Sequence, residues 1–301
     1  MKIKIFPILT LFITGLLFYS CNEKEPEIEE QICKGDNYTL PVNRLLSKLR
    51  TTHPGNLPTI KNYDYTYNEH NLLTEKSEYT FDYDLNRNYT YCNNKLIELS
   101  NDKNTLLYNF EYDTSNRLVS FNTTNSYLYD YSVSYTESAI TVTGIVNKEP
   151  NTTIIIETNN ANLVTKITRD DTYSKFEYDA NRNLIKATDF SNNDDVLNDY
   201  KITYDTNPNP FYGQLKFNYL ERFIDLFGKS AFYGIDVFYR FDQYKYPYLK
   251  NNPVLLEDLN CAPCYKNLLE RTYEYDAQNY PVKMEESYVG SPAVIYEFTY
   301  Q

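Results

Sequence analysis

The sequence feature that most constrains the fold is a short segment that recurs along the chain. Each copy has a Tyr at the end of an alternating aromatic run, a polar turn that begins with Asp or Asn, and an aliphatic residue that opens the next run. The clearest copy is Tyr112-Asp113-Thr114-Ser115-Asn116-Arg117-Leu118. Other copies begin at Tyr67, Tyr178 and Tyr275, with degenerate ones at Tyr91 and Thr158. Up to position 178 the starts are about 20 to 24 residues apart, or twice that, which predicts a strand–turn–strand unit.

Each turn in this unit needs a residue with a left-handed backbone, and the chain has only 8 Gly to supply it. Asn tolerates that region better than most other residues. An Asp or Asn that follows the Tyr can accept hydrogen bonds from backbone amides two residues further along and so start the turn. The predicted turn-starting residues are Asp113, Asp179 and Asp276, and the predicted left-handed residues are Asn71, Asn116 and Asn279.

The runs between the turns alternate aromatic and polar residues, as in Tyr63-Asp64-Tyr65-Thr66-Tyr67 and Tyr296-Glu297-Phe298-Thr299-Tyr300. A period of two places the aromatic residues on one face of a sheet and leaves the other face wet. Strands joined by hairpins form an antiparallel sheet of this kind. The predicted fold is mainly β: a large curved antiparallel sheet or an open half-barrel built from these hairpins, with one or two short helices.

Two stretches depart from the period of two. In 40–49, the apolar positions 42, 45, 46 and 49 form a helical stripe, and in 214–228 a second stripe ends at Gly228, which can serve as a C-cap. Each is interpreted as a helix that covers the sheet. The region from about 205 to 265 is therefore predicted to be a partly helical insertion. Two final strands, over about 268–278 and 292–300, are expected to complete the sheet.

The N-terminus has the layout of a secretion signal. Lys2 and Lys4 precede an apolar stretch over 5–19, which is shorter than the roughly 20 residues of a membrane-spanning helix. The stretch is followed by Ser20-Cys21, which resembles the lipobox of bacterial lipoproteins, in which the Cys thiol receives diacylglycerol. The alternative is an ordinary signal peptide with an incidental Cys. The predicted organisation is a signal peptide over 1–20, a lipidated tether over 21–35 and a single β-repeat domain over 36–301.

The segment after Cys21 is acidic and contains Pro26, so it is expected to remain solvated. An acidic run at this place also resembles the signal that sends some Gram-negative lipoproteins to the outer cell surface. The expected location is the cell envelope, as a surface-exposed outer-membrane lipoprotein held to the membrane through Cys21. The formal net charge of −12 disfavours nucleic acid as a partner, because an anionic chain gains nothing from phosphate contacts.

The repeat resembles that of YD-repeat (RHS-like) proteins, which reads Tyr-Asp, two variable residues, Gly-Arg-Leu. Residues 112–118 match this pattern with Asn116 in place of Gly. The chain is also similar to secreted bacterial lipoproteins with degenerate YD repeats, classed as a domain of unknown function with a porin-like fold. In that group a Tyr-Asp strand leads into an Asn-Pro segment and later an Asn-Asn-Pro, as in 204–211 and 251–253. The resemblance covers about 60–301, but the few copies and scarce Gly depart from shells that enclose toxin domains.

The sequence contains no recognisable catalytic constellation. Its only two His are His53, beside Pro54-Gly55, and His70, inside a repeat turn, and both are interpreted as loop residues. No Gly-x-Ser-x-Gly nucleophile motif, phosphate-binding Gly loop or dinucleotide fingerprint occurs. We therefore predict no catalytic residues, no cofactor and no metal site. The 41 acidic residues leave a carboxylate-dependent envelope hydrolase acting on glycans as an alternative.

Cys261-Ala262-Pro263-Cys264 is the one compact chemical motif. Such a pair can be a redox dithiol, half of a zinc site or a local disulfide. Zinc would need further ligands, and an oxidising envelope favours structural disulfides. Apart from the lipidated Cys21, the predicted domain and tether contain four cysteines, which can pair in three ways that the sequence leaves open: Cys33, Cys92, Cys261 and Cys264. Asp170-Asp171 and 192–195 resemble fragments of calcium loops without the EF-hand spacing and are interpreted as solvated turns.

Three functions follow from these observations. The predicted one is a non-catalytic envelope or surface module that binds an extracellular glycan or protein, or that serves structurally. The hydrolase is the second. The third is a membrane-spanning barrel, which needs strands of about 9–11 residues with an apolar band toward lipid. The alternating runs here are mostly shorter, and their hydrophobic face consists largely of Tyr.

Overall fold

The described part of the chain consists of β-strands joined by short connections. The computed structural model describes residues 44–55, 58–103, 107–123, 129–146, 149–160, 163–169, 172–212, 249–260, 267–288 and 290–301. These residues all belong to one compact unit, Lys34–Gln301. Within these ranges there is no α-helix, and hence none that is long and apolar enough to cross a membrane.

The strands are described by their bounds, in chain order. They are β1 (Leu46–His53), β2 (Thr59–Tyr67), β3 (Leu73–Tyr79), β4 (Asp84–Cys92), β5 (Lys95–Asn101), β6 (Leu107–Tyr112), β7 (Leu118–Thr123), β8 (Tyr129–Tyr135), β9 (Ala139–Val146), β10 (Glu149–Thr158), β11 (Val164–Arg169), β12 (Thr172–Tyr178), β13 (Leu184–Ser191), β14 (Val196–Pro208), β15 (Asn251–Asp258), β16 (Asn267–Tyr275), β17 (Pro281–Tyr288) and β18 (Val294–Tyr300).

These strands form a closed antiparallel barrel. Each strand pairs with the next along the chain. The sheet has 18 strands, and it closes because β1 also pairs with β18. The predicted antiparallel β fold is confirmed, but the predicted open half-barrel is wrong. Closure depends on residues such as Arg50 and Glu297, which are 247 positions apart, and local periodicity carries no information about such pairing.

A β-bulge near the start of the odd-numbered strands explains why 40–49 resembles a helix in the sequence. The pairing of β1 with β18 shifts register between Leu46 and Lys48. The extra residue places Leu46 and Leu49 on the same face, where they are 0 % and 1 % exposed. A spacing of three is also the signature of a helix face. The predicted helix is therefore wrong from Leu46 onward, where β1 begins.

The predicted insertion over 205–265 is also too wide. Strand β14 continues to Pro208, β15 occupies Asn251–Asp258 and β16 begins at Asn267. The predicted helix over 214–228 lies outside the described residues. The C-terminal part contains three strands instead of two, because Pro281 opens β17. A Pro is tolerated as the first residue of a strand, where its missing N–H breaks little of the ladder.

The inward face of the barrel is apolar over much of its depth. Buried side chains from most of the strands form a single hydrophobic cluster. Its members include Leu49, Tyr65, Tyr89, Leu99, Phe110, Phe121, Ile156, Ile167, Phe176, Ile202, Leu256, Met284 and Phe298. Burial of one Leu or Phe side chain contributes about 1.5–3 kcal/mol. The described strands thus pack around a hydrophobic core, as the alternating sequence pattern requires.

The outward face carries ion pairs between neighbouring strands. Lys283 on β17 lies 3.1 Å from Glu274 on β16. The other outward pairs of this kind are Lys48–Asp64, Arg50–Glu297, Lys166–Glu157, Lys186–Asp199 and Lys201–Glu257. Opposite charges on directly facing strand positions stabilise a sheet by a few tenths of a kcal/mol up to about 1 kcal/mol. Charged residues thus occupy outward positions on many of the described strands.

Candidate functional site

The predicted turn residues form one repeated hairpin turn at the end of the barrel where even-numbered strands finish. In the turn between β6 and β7, the Asp113 carboxylate accepts hydrogen bonds of 2.9 Å from the backbone N–H groups of Ser115 and Arg117. Asn116 has φ 67°, and Arg117 donates a further bond of 2.8 Å to the same carboxylate. Hydrogen bonds from Arg117 hold the pKa of the Asp113 carboxyl below its usual value.

The other copies have the same geometry. Asn68 and Asp276 each accept two backbone N–H groups of their own turns, and Asp179 accepts that of Asn183. Asn71 and Asn279 have φ 60° and 64°, the left-handed conformation that the sequence analysis assigned to them. The equivalent residue of the remaining copy is Arg182, with φ 72°. These turns belong to four separate hairpins, so the predicted turn residues do not converge on a shared site.

The structure adds one copy that the sequence analysis did not identify, at the opposite end of the barrel. In the turn between β13 and β14, the Ser191 hydroxyl accepts bonds from the backbone N–H groups of Asn193 and Asp195. Asp194 has φ 65°. Ser191 takes the place of the usual Asp, and the preceding Phe190 takes that of the Tyr. The segment 192–195 is thus an exposed turn of the repeat type.

The repeat Tyr side chains form a belt of hydroxyl groups around the same end of the barrel as the repeated turns. Each hydroxyl donates to a backbone carbonyl at or near the start of the preceding odd-numbered strand. The donor–acceptor pairs are Tyr67–Leu46, Tyr91–Leu73, Tyr112–Leu96, Tyr135–Leu118, Tyr178–Val164, Tyr204–Leu184, Tyr273–Pro253 and Tyr300–Pro281, with distances of 2.6–2.9 Å. We call these eight residues the tyrosine belt. Its rings belong to the hydrophobic cluster or pack against it, so the belt joins core and backbone.

Burial changes the acidity of the tyrosine belt. It raises the pKa of Tyr67 and Tyr178, and also that of Tyr273 and Tyr300, well above the usual value. The phenol therefore stays protonated, as a hydrogen-bond donor must. The belt is a structural device, and the sequence signal for it is a Tyr at or near the end of most even-numbered strands.

The Asn-Pro and Asn-Asn-Pro segments lie together at the same end. Asp205 accepts hydrogen bonds from the backbone N–H and the side-chain amide of Asn252, and from the Tyr275 hydroxyl. Asn183 donates 2.9 Å to Asn251, whose backbone N–H it also accepts. Asn183 and Asn252 are each only 1 % exposed. These buried amides have their partners within the cluster, so the two segments hold β14 beside β15.

A polar layer crosses the inside of the barrel toward the end opposite the tyrosine belt. Seven of the nine odd-numbered strands carry a described polar residue five positions after the residue that opens their inward face. These residues are Thr51, Glu78, Asn101, Arg169, Asp189, Asp258 and Glu286. Asp189 is 3 % exposed and accepts bonds of 2.6 Å from Ser174 and 3.1 Å from Asn198. Hydrogen bonds of this kind offset the cost of burying a charge.

Arg271 and Glu286 form the most buried ion pair of this layer. Two guanidinium nitrogens of Arg271 donate to Glu286 at 2.8 and 2.6 Å, and the Tyr296 hydroxyl donates to it at 3.1 Å. The two side chains are 0 % and 2 % exposed. Burial alone would lower the pKa of Arg271, but the Glu286 charge outweighs it and raises that pKa. The pair is neutral as a whole, which suits an internal role more than substrate chemistry.

A concave site lies on the outward face across the seam where the barrel closes. It is a groove of about 370 Å³, which we call the seam groove. It is lined by Lys48, Leu49 and Arg50 of β1, Asn62, Tyr63 and Asp64 of β2, and Glu297 and Thr299 of β18. The Arg50–Glu297 pair at its centre is separated by 2.8 Å, and both side chains are about half exposed, at 48 % and 49 %. A ligand could therefore reach both charges.

The remaining predicted residues do not form a chemical site in the described part. Cys92 is disulfide-bonded and 4 % exposed. Cys21, Cys33, Cys261 and Cys264 lie outside the described residues, so the pairing stays open. His53 ends strand β1 and is not a loop residue, whereas His70 lies in its predicted turn, 3.5 Å from Glu69. Among the described residues no group of three or more His, Cys, Asp or Glu is placed to hold a metal ion.

Comparison with known proteins finds similarity of fold only. No protein-family model matches the chain, and no curated protein matches it. A porin-like protein from Bacteroides uniformis is 10 % identical with a TM-score of 0.47, over 85 % of this chain and 98 % of that one. A chain of the Tc holotoxin pore of Photorhabdus luminescens is 9 % identical with a TM-score of 0.33, over 79 % of this chain and 14 % of that one.

Proposed function

We propose that this protein is an exported, lipid-anchored module of the bacterial envelope that binds an extracellular ligand through its outer surface and has no catalytic role. The observation that carries the proposal is the polarity of the barrel wall. Its inward face forms the hydrophobic cluster, and its outward face carries the cross-strand ion pairs. A barrel of this polarity is suited to water on the outside.

A barrel that spans a membrane has the opposite polarity. It needs an apolar band toward lipid, and a Lys or Arg at the middle of that band costs about 2–4 kcal/mol. Lys201 on β14 and Lys283 on β17 both lie within outward-facing ion pairs. The same wall therefore argues against the membrane-spanning alternative. In the proposal the acyl chains on Cys21 supply the attachment to the membrane.

The placement of the buried carboxylates supports a non-catalytic role. Asp189 is held by Ser174 and Asn198, and Glu286 by Arg271. Both carboxylates are thus engaged by buried partners inside the barrel, where they are 3 % and 2 % exposed, and are not presented to a substrate. The hydrolase alternative would require other carboxylates, at a site that a substrate can reach.

The test is to compare the wild-type protein with a Cys21→Ala variant in the native bacterium. Cells are labelled with a fatty-acid analogue, fractionated and treated with protease while intact. The proposal expects label on the wild-type protein, its recovery with the outer membrane, and digestion on intact cells. Cys21→Ala should remove the label and release the protein from the membrane fraction. Label-free wild-type protein, or a variant that stays in the membrane through alkaline carbonate washing, would contradict the proposal.

A further inference from the structure

We propose that the seam groove, together with Tyr79, is a binding site for a neutral saccharide. This inference rests on the proposed function, since it names the ligand class of the same outer surface. Four side chains lie in one row across four strands. Arg50 is opposite Glu297 on one side and Asn62 on the other, and Asn62 is opposite Tyr79.

The row faces outward. On β1 and β2, its members alternate with Leu49, Thr51 and Tyr63, which are 1 %, 3 % and 4 % exposed and therefore face the interior. Tyr79 is 37 % exposed at the end of β3. Residues on the same face of paired strands are neighbours. The groove and the Tyr ring are thus continuous parts of one surface.

The chemistry of the groove matches a polyhydroxylated ligand. A guanidinium, two carboxylates, an ammonium, an amide and a hydroxyl offer both donors and acceptors of hydrogen bonds. Sugar hydroxyl groups are both donors and acceptors, so they can bond to either partner of the Arg50–Glu297 pair. The exposed face of an aromatic ring is a flat apolar surface. Tyr79 supplies such a surface for the C–H face of a sugar ring, at one end of the polar row.

The charges select for a neutral ligand. The groove contains two cations, Lys48 and Arg50, and two anions, Asp64 and Glu297. Each cation lies beside an anion, at 3.8 Å and 2.8 Å. A charged ligand would compete with one partner of a pair and be repelled by the other, whereas a neutral ligand bonds to both members. The volume of about 370 Å³ falls within the range of about 300–1,000 Å³ typical of small-ligand sites.

The closed sheet disfavours an extended peptide as the occupant. A peptide commonly binds a sheet by adding a strand to a free edge. Strand β1 is paired with β18 on one side and with β2 on the other, so the floor of the groove offers no edge. Recognition at this place must use side chains that project outward.

The neighbouring turn extends the same surface. Phe81, at the tip of the turn between β3 and β4, is fully exposed. The turn is held by Thr80, whose hydroxyl accepts from the backbone N–H groups of Asp82 and Tyr83. A rigid turn can present aromatic rings to a ligand at low entropic cost. A saccharide longer than the groove would meet the Phe81 ring next.

The experiment uses the full lipoprotein purified in detergent. A panel of neutral oligosaccharides built from glucose, mannose, galactose and N-acetylglucosamine is tested by saturation-transfer NMR and calorimetry, with sulfated and uronic-acid oligosaccharides as charged comparators. The inference expects at least one neutral saccharide to bind, with charged counterparts at least about tenfold weaker. Tyr79→Ala and Arg50→Ala should each weaken binding at least about tenfold. The control is Lys201→Ala, which removes the cation of an outward pair on β14 and β15 whose carboxylate, Glu257, is only 8 % exposed, and which should leave affinity unchanged.

The inference is overturned if no neutral saccharide of the panel binds, or if a bound saccharide is insensitive to both groove variants. Equal loss in Lys201→Ala would also overturn it. Selective binding of a peptide or protein that protects Arg50 and Tyr79 would assign the surface to another ligand class. Thermal melts confirm that each variant is folded. Labelling of Cys21 and surface digestion are measured separately. A failure to bind saccharide would therefore overturn this inference without overturning the proposed envelope role.

Discussion

The tyrosine belt leads to a prediction about one hydroxyl group. The Tyr178 hydroxyl donates to the Val164 carbonyl at 2.8 Å. Tyr178→Phe keeps the ring in place and removes only this bond, leaving a half-buried carbonyl without its donor. Such a loss costs about 1–2 kcal/mol. In a domain of this size that is a fall in melting temperature of roughly 2–8 °C.

The matched control lies on the same strand. Tyr173 also donates a hydrogen bond, to Asp194 at 2.5 Å, but this bond is exposed. Water can replace the exposed bond, so Tyr173→Phe should leave the melting temperature close to that of the wild type. Urea unfolding followed by circular dichroism measures both variants. Equal effects of the two substitutions would refute the reasoning. They would show that the hydrogen bond of the tyrosine belt contributes no more to stability than an exposed one.

A second measurement on the same variant uses pH. Burial raises the pKa of Tyr178 in the folded state, whereas the unfolded value is about 10. The folded protein therefore keeps a proton that the unfolded chain loses above that pH. The contribution of Tyr178 is intact below about pH 10 and falls by about 1.4 kcal/mol per pH unit above it. Tyr178→Phe should reduce the alkaline slope of the unfolding free energy by this amount, and an unchanged slope would show that the phenol is not protected by the fold.

Three further predictions concern buried charges and turns. Arg271→Met should destabilise the fold by about 3–5 kcal/mol because it strands the Glu286 charge, whereas the double variant with Glu286→Leu should recover most of this loss in chemical unfolding. Asp179→Ala should lower the free energy of unfolding by about 1 kcal/mol in the same assay, because the backbone N–H of Asn183 loses its acceptor. Asp179→Asn retains an acceptor oxygen and should cost clearly less. Equal costs would contradict the capping role. Arg182→Asn should raise the melting temperature by a few degrees, because Asn tolerates the observed φ of 72° better than Arg does; a lower melting temperature would count against strain at this position.

The candidate site illustrates where sequence reasoning ends. Nothing in the sequence around Arg50, Asn62 and Glu297 distinguishes their outward positions from others. They become neighbours only because β1 pairs on both sides. The polar layer is different, since its members recur at a constant offset from the residue that opens each inward face. Its signal was present in the sequence but became readable only once the bulge had been located.

The repeated turns and the alternation of the strands could be predicted from the sequence alone. A Tyr-Asp turn such as 112–118 closes through hydrogen bonds between residues at most four positions apart, and alternation along each run decides which side chains can share a face. Three features depend on the tertiary structure. The sheet closes, a bulge and not a helix brings Leu46 and Leu49 to one face, and Arg50 pairs with Glu297. The difference lies in sequence separation: turns and alternation depend on residues that are close together in the chain. Closure and the seam groove are satisfied only by partners that the whole fold brings together.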